Sequence, residues 1–103
     1  MKCLDNVMEI IIAGIARHEF EDAKQYYELA QSGLGIRFEK EVKASLLRIK
    51  QFPDAWPMER EGIQKYLMHK FPYKIFYSVQ GNKILVLAFA HQHREPTYWI
   101  DRV

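Results

Sequence analysis

Apolar residues recur along the chain at two different periods, and the change of period divides it into a helical part and a strand part. Over residues 16–32 the positions Ala16, Phe20, Ala23, Tyr26, Tyr27 and Ala30 recur at steps of three and four. Glu19, Glu21, Asp22 and Lys24 lie between them, which predicts an amphipathic helix. Ser32-Gly33-Leu34-Gly35 stops it. Gly33 accepts a left-handed backbone at a helix end, and Gly35 allows a second helix to begin at once. The second helix is predicted over Ile36–Lys50, with Phe38, Val42, Leu46 and Ile49 on one face and Phe52-Pro53 as its end. Two helices on a short loop form an antiparallel hairpin.

Elsewhere the pattern is that of strands. Lys74–Val79 and Lys83–His91 are rich in β-branched and aromatic residues and flank Gly81-Asn82, which predicts a β-hairpin with a two-residue turn. In its second strand, alternation sends Ile84, Val86, Ala88 and Ala90 to one face and Leu85, Leu87 and Phe89 to the other. Both faces are apolar, so this strand is expected inside the sheet. Met8–Ala13 reads as a first strand after a loose extension at residues 1–7, and Ile63–Lys70 as another. Pro53 and Pro57 make residues 53–57 an irregular connection whose Trp56 covers the core edge, and Phe71-Pro72-Tyr73 leads into the hairpin. The expected order is β-α-α-β-β-β over a single domain, 1–103. That is an α+β fold, with a helical hairpin on a mostly antiparallel four-stranded sheet.

Composition narrows the function classes. The chain has 103 residues, 49% hydrophobic and 27% charged, as in ordinary globular domains. Its one cysteine, Cys3, rules out an intramolecular disulfide and points to a reducing cytoplasm; no Cys/His set has zinc-ligand spacing, so neither metal nor cofactor is expected. No apolar run approaches the roughly 20 residues of a membrane span. The net charge is +2, unevenly distributed. Residues 1–62 carry 9 Lys and Arg against 11 Asp and Glu, whereas residues 63–103 carry 6 against 2 and three of the four histidines. The sheet and the C-terminal segment are thus the basic part, suited to a polyanion or an acidic protein.

The densest group of reactive side chains follows the last strand: His91, His93, Arg94, Tyr98 and Arg102. Three strings stand in order. They are Gly33-Leu34-Gly35-Ile36-Arg37-Phe38 between the helices, Phe71-Pro72-Tyr73-Lys74-Ile75-Phe76-Tyr77, and Ile84-Leu85-Val86-Leu87-Ala88 leading to His91, Arg94, Pro96, Tyr98, Trp99 and Arg102. With these motifs the chain resembles the RelE/ParE superfamily of toxins from type II toxin–antitoxin modules, over nearly its whole length from Met8. The resemblance implies a cognate antitoxin as partner, with operator DNA met only through that antitoxin. It also implies one of two activities: inhibition of DNA gyrase by binding, as in ParE-like members, or cleavage of messenger RNA on the ribosome, as in RelE-like endonucleases.

Cutting RNA through its 2′-hydroxyl needs a base, an acid and cations for the phosphate. His91 or His93 as base or acid, Tyr98 as proton donor, and Lys65, Lys74 and Arg94 as clamps are the candidates. RelE-like nucleases usually carry several cations along the middle strands, where this chain has Gln64, Tyr66, Met68, Phe76 and Ser78. Those departures and the long helical hairpin favour the ParE-like branch, a binder rather than an enzyme. Its target-binding residues would be Lys65, Lys74, His93, Arg94, Tyr98 and Arg102. Each has a plainer reading beside it: His91 as a structural histidine, Lys65 and Lys74 as solvated strand lysines, Arg94 paired with Glu95 or Asp101, and Tyr98 and Trp99 packed over the sheet.

Overall fold

Residues 8–92 are described by the computed structural model. The elements are β1 (Glu9–Ile12), α1 (Gly14–Ala30), α2 (Leu34–Gln51), β2 (Met58–Arg60), β3 (Ile63–Leu67), β4 (Tyr73–Gln80) and β5 (Lys83–His91). They form a helical hairpin on one face of a five-stranded sheet ordered β1-β5-β4-β3-β2, in which only β1 and β5 run parallel. The α+β class and the mostly antiparallel sheet expected from the sequence are present, with one strand more. The addition is β2, where Met58 pairs with Gln64 and Arg60 with Ile63. Three residues with one inward position are too short for a period to show. Both edge strands are short, which limits pairing with other chains.

The stripe that α1 buries is narrower than its apolar sequence. Ala16 and Ala23 are fully buried and Phe20 and Tyr27 pack beside them, whereas Tyr26 is 66% exposed. On α2, Phe38, Val42 and Ile49 face the sheet. Phe38 is the hub of the aromatic cluster, with ring centroids 5.9 Å from Phe20, 5.2 Å from Tyr27 and Phe71, and 5.4 Å from Tyr73. Trp56 stands edge-on to Tyr66 at 4.8 Å, the expected cover of the core edge.

The tight hairpin between the helices uses its glycines for two reasons. Gly33 has φ +88°, the left-handed region that costs an L side chain energy, and it caps α2. Gly35 is needed for proximity: a Cβ there would stand 2.8 Å from the Lys24 carbonyl oxygen. Glu28 near the end of α1 reaches across, and its carboxylate accepts from Gly33 N–H at 3.0 Å and Gly35 N–H at 3.0 Å. An acid from the first helix therefore satisfies the orphan donors of the second, where the helix dipole favours negative charge. Gly35→Ala is expected to destabilise the protein. The steric cost of roughly 1–3 kcal/mol for forcing a methyl into packed surroundings exceeds the gain of about 1 kcal/mol in helix propensity. A lower urea midpoint would show it; an unchanged or higher midpoint would mean the helices can separate freely.

The largest departure from expectation lies in the β4–β5 ladder. From the turn outward, Gln80 pairs with Lys83 and so on to Tyr77 with Val86, but Phe76 then pairs with Ala88. Leu87 is an extra residue, a β-bulge, and beyond it the facing of β5 is reversed. Ile84, Val86 and Phe89 face the helices; Leu87, Ala88 and Ala90 join Phe76 and Ile63 on the opposite face. The expected grouping of Ala88 and Ala90 with Ile84 and Val86 is therefore corrected. Phe89, with the larger side chain, turns toward Phe20, ring centroids 5.9 Å apart.

Candidate functional site

The bulge also determines what surrounds His91. Without it Tyr73 would stand opposite Ala90; with it, Tyr73 pairs with His91. The two rings meet edge to face at 5.4 Å, at the end of the sheet, where His91 is exposed. Here β1 has already ended, its last link being Ala13 N–H to the Val86 carbonyl at 3.0 Å. Helix α1 takes over the vacated edge: Glu19 Oε1 accepts from the Phe89 N–H at 3.1 Å. A buried amide thus receives the acceptor that a strand would have offered.

Glu19, Asp22, Ala23, Tyr26, Tyr73, Phe89 and His91 line a cleft of about 280 Å³ at this end. Burial raises the Tyr73 phenol above its ordinary value, with Tyr26 and Glu19 adding to the rise. Burial does the same to Tyr27, with Tyr73 and Tyr26 contributing. Neutral tyrosine, a hydrogen-bond donor, is therefore the form this cleft favours at physiological pH. An imidazole, two carboxyl groups and two phenols converge here on an acidic, aromatic wall beside an exposed histidine. Sequence reasoning singled out only His91. The spacing of Glu19, Asp22 and Tyr26 on one side of α1 was a signal for the others, but Tyr73 came into place through the bulge.

Of the remaining sequence candidates, Lys65 and Lys74 fall among the described residues, and both lie on the sheet face away from the helices. They are not equivalent. Lys65 Nζ is 3.0 Å from Glu59 Oε1, an ion pair supplied by the unexpected strand β2. Lys74 is only 9% exposed and its Nζ stands 5.7 Å from the centre of the Phe76 ring, a cation–π contact. Neither is a freely solvated strand lysine. His93, Arg94, Tyr98 and Arg102 lie outside the described residues, as does the extension at 1–7.

The strand positions where an RNA-cutting relative would carry cations do structural work. The Gln64 amide donates to the carbonyls of Pro53 at 2.7 Å and Trp56 at 3.0 Å, securing the proline-rich connection. Tyr66 is fully buried and its hydroxyl accepts from Arg48 Nη1 at 2.7 Å, while Met68 and Phe76 lie in the two cores. Among the described residues, no group of three or more His, Cys, Asp or Glu could hold a metal ion, and no helix is long and apolar enough to cross a membrane.

The fold defined by this hairpin and sheet is that of a toxin from a toxin–antitoxin pair. A chain of a solved structure, described as a chromosomal ParDE TA system from P. aeruginosa, matches with a TM-score of 0.71 over 84% of this chain and 97% of that one. Sequence identity is 14%, so the likeness is one of fold. The sequence profile of the family described as ParE toxin of the type II toxin–antitoxin system parDE matches residues 10–96, and the chain belongs to that family. Comparison with curated proteins finds no match.

Proposed function

We propose that this protein is a toxin that inhibits DNA gyrase by binding it, without turnover, in the cytoplasm, and that a cognate antitoxin neutralises it. The family match over residues 10–96 carries the reading. The strand positions support the binding branch over RNA cleavage: Gln64, Tyr66 and Met68 are buried structural groups, Lys65 is ion-paired, and Lys74 is buried. The proposed contact surface begins at the exposed His91 and continues through His93, Arg94, Tyr98 and Arg102, within the part of the chain, 63–103, where Lys and Arg outnumber Asp and Glu. The antitoxin is a small protein with a DNA-binding head, and its flexible tail orders against the toxin, so operator DNA is reached only through it.

The test is a supercoiling assay with purified gyrase. The expected result is inhibition with accumulation of gyrase-linked, cleaved DNA. Arg94→Ala and Arg102→Ala are expected to raise the half-inhibitory concentration by at least roughly tenfold, since charged anchors at the centre of an interface dominate its energy. Full supercoiling at high excess of toxin would sink the gyrase reading. Cut transcripts in expressing cells would then establish the messenger-RNA endonuclease, with the His91–Tyr73 cleft as its acid–base site.

A further inference from the structure

The cleft beside His91 has the chemistry of a socket for a guanidinium. Two carboxylates line it, Glu19 and Asp22, together with the phenols of Tyr26 and Tyr73, and no lysine or arginine is among its lining residues. Its wall is therefore negative and aromatic. Asp22 is exposed and has no ion-pair partner among the described residues. Glu19, Phe89 and His91 each have a further partner, beyond the Glu19–Phe89 bond and the ring contacts of Phe89 with Phe20 and of His91 with Tyr73. Something besides these groups engages the cleft.

The course of the chain points to the occupant. Gln92, the last described residue, donates its N–H to the Pro72 carbonyl at 2.8 Å, so the chain leaves the sheet next to Tyr73 and at the lip of the cleft. Residues 93–103, which lie outside the described part, start there. Their lysines and arginines number two, Arg94 and Arg102. Arg94 is the nearer, since three residues span at most about 10 Å from His91, and seating it closes only a short loop of chain. A planar guanidinium pairs with a carboxylate through two parallel N–H donors and stacks on aromatic faces, which an ammonium cannot do.

We infer that Arg94 seats in this cleft, donating to Asp22 and to the Glu19 carboxylate with its plane against the rings of Tyr26 and Tyr73, and that Asp22 and Glu19 thereby position the C-terminal segment. The cleft is open on its outer side, so the second edge of the guanidinium stays available to a partner protein. The latch itself is a property of the chain alone. Its consequence for inhibition rests on the gyrase reading, because the segment it holds carries His93, Tyr98 and Arg102.

The test uses the full-length chain and Asp22→Asn, an exposed position on α1 outside the proposed gyrase contact. Glu19 is left unchanged, because it also caps the Phe89 amide. In the isotope-labelled protein, the Nε–H resonance of Arg94 is expected to be shifted from that of free arginine and to return toward it in Asp22→Asn. In urea unfolding, Asp22→Asn and Arg94→Gln should each change the equilibrium constant by roughly threefold, and the double variant by no more than the larger single effect. Arg94→Lys should restore only part of the loss, and Arg102→Ala should leave the effect of Asp22→Asn unchanged. An unshifted Arg94 Nε–H, additive effects of the two substitutions, or coupling of Asp22 to Arg102 instead would overturn the proposal. In the supercoiling assay Asp22→Asn should raise the half-inhibitory concentration by roughly threefold or more. If the wild-type chain leaves gyrase untouched, the gyrase reading falls and the latch is still decided by the resonance and the unfolding cycle; inhibition unaltered by Asp22→Asn would remove its positioning role.

Discussion

Phe38→Ala is expected to lower the unfolding free energy by about 3–5 kcal/mol, the usual cost of removing a buried phenylalanine. Phe38 is fully buried and its ring touches four others, two on the helical hairpin and two at the entry to the β-hairpin. Little can collapse into the space it leaves, because its neighbours are aromatic rings in contact with one another: Tyr27 with Phe71 at 4.9 Å and with Tyr73 at 6.2 Å. A domain of this size is stable by about 5–15 kcal/mol, so the variant would retain only a part of its stability. Urea unfolding measures it, with the slope unchanged and the midpoint lowered. Leu29→Ala, at a site 80% exposed, is the control and should move stability by no more than about 0.5 kcal/mol. If Phe38→Ala cost no more than Leu29→Ala, the aromatic cluster would not be the centre of the fold.

The second large effect is alkaline unfolding through Tyr77. Its ring is fully buried in β4 and its hydroxyl donates to the Pro53 carbonyl at 2.7 Å. Burial, with a smaller contribution from Asp54, pushes its pKa up to about 12 from the ordinary 10.0. The folded state therefore holds the proton more tightly than the unfolded chain does. The corresponding stability is complete below pH 10 and is lost as pH rises through 12. Tyr27 and Tyr73, also raised by burial, act in the same direction. Denaturant midpoints measured from pH 8 to 12 should fall steeply above pH 10. Tyr77→Phe should be less stable at pH 8, because it loses the bond to Pro53, and should show a shallower decline above pH 10. An equally steep decline in that variant would assign the transition to other groups.

The site was only partly open to sequence reasoning. His91 was legible because it ends a strand whose apolar run is unmistakable. Glu19 and Asp22 were passed over as the polar side of a helix, and nothing local marks Glu19 as the acceptor for an amide 70 positions away. The assignment of Lys65 and Lys74 as similar strand lysines was incomplete for the same reason. One of them meets Glu59 from a strand too short to leave a period, and the other is covered.

Residue pattern alone was enough for the helical hairpin with its Gly33 break, the β-hairpin with its Gly81-Asn82 turn, the α+β class and the resemblance to the toxin superfamily. These rest on local rules: the spacing of apolar positions, and glycine's freedom at a turn where Gly33 and Gly81 both have positive φ. The bulge at Leu87 was beyond such rules. A run of Leu87, Ala88, Phe89 and Ala90 is apolar at every position, so its sequence carries no preference for either face. Only the helices packed above the sheet, which accommodate Phe89 against Phe20 and Glu19, decide which residues turn inward. The same holds for the Glu28 cap on α2 and the bond from Arg48 to the Tyr66 hydroxyl. Each depends on an element brought near by the hydrophobic burial of others, a non-local energy that no short stretch of chain contains.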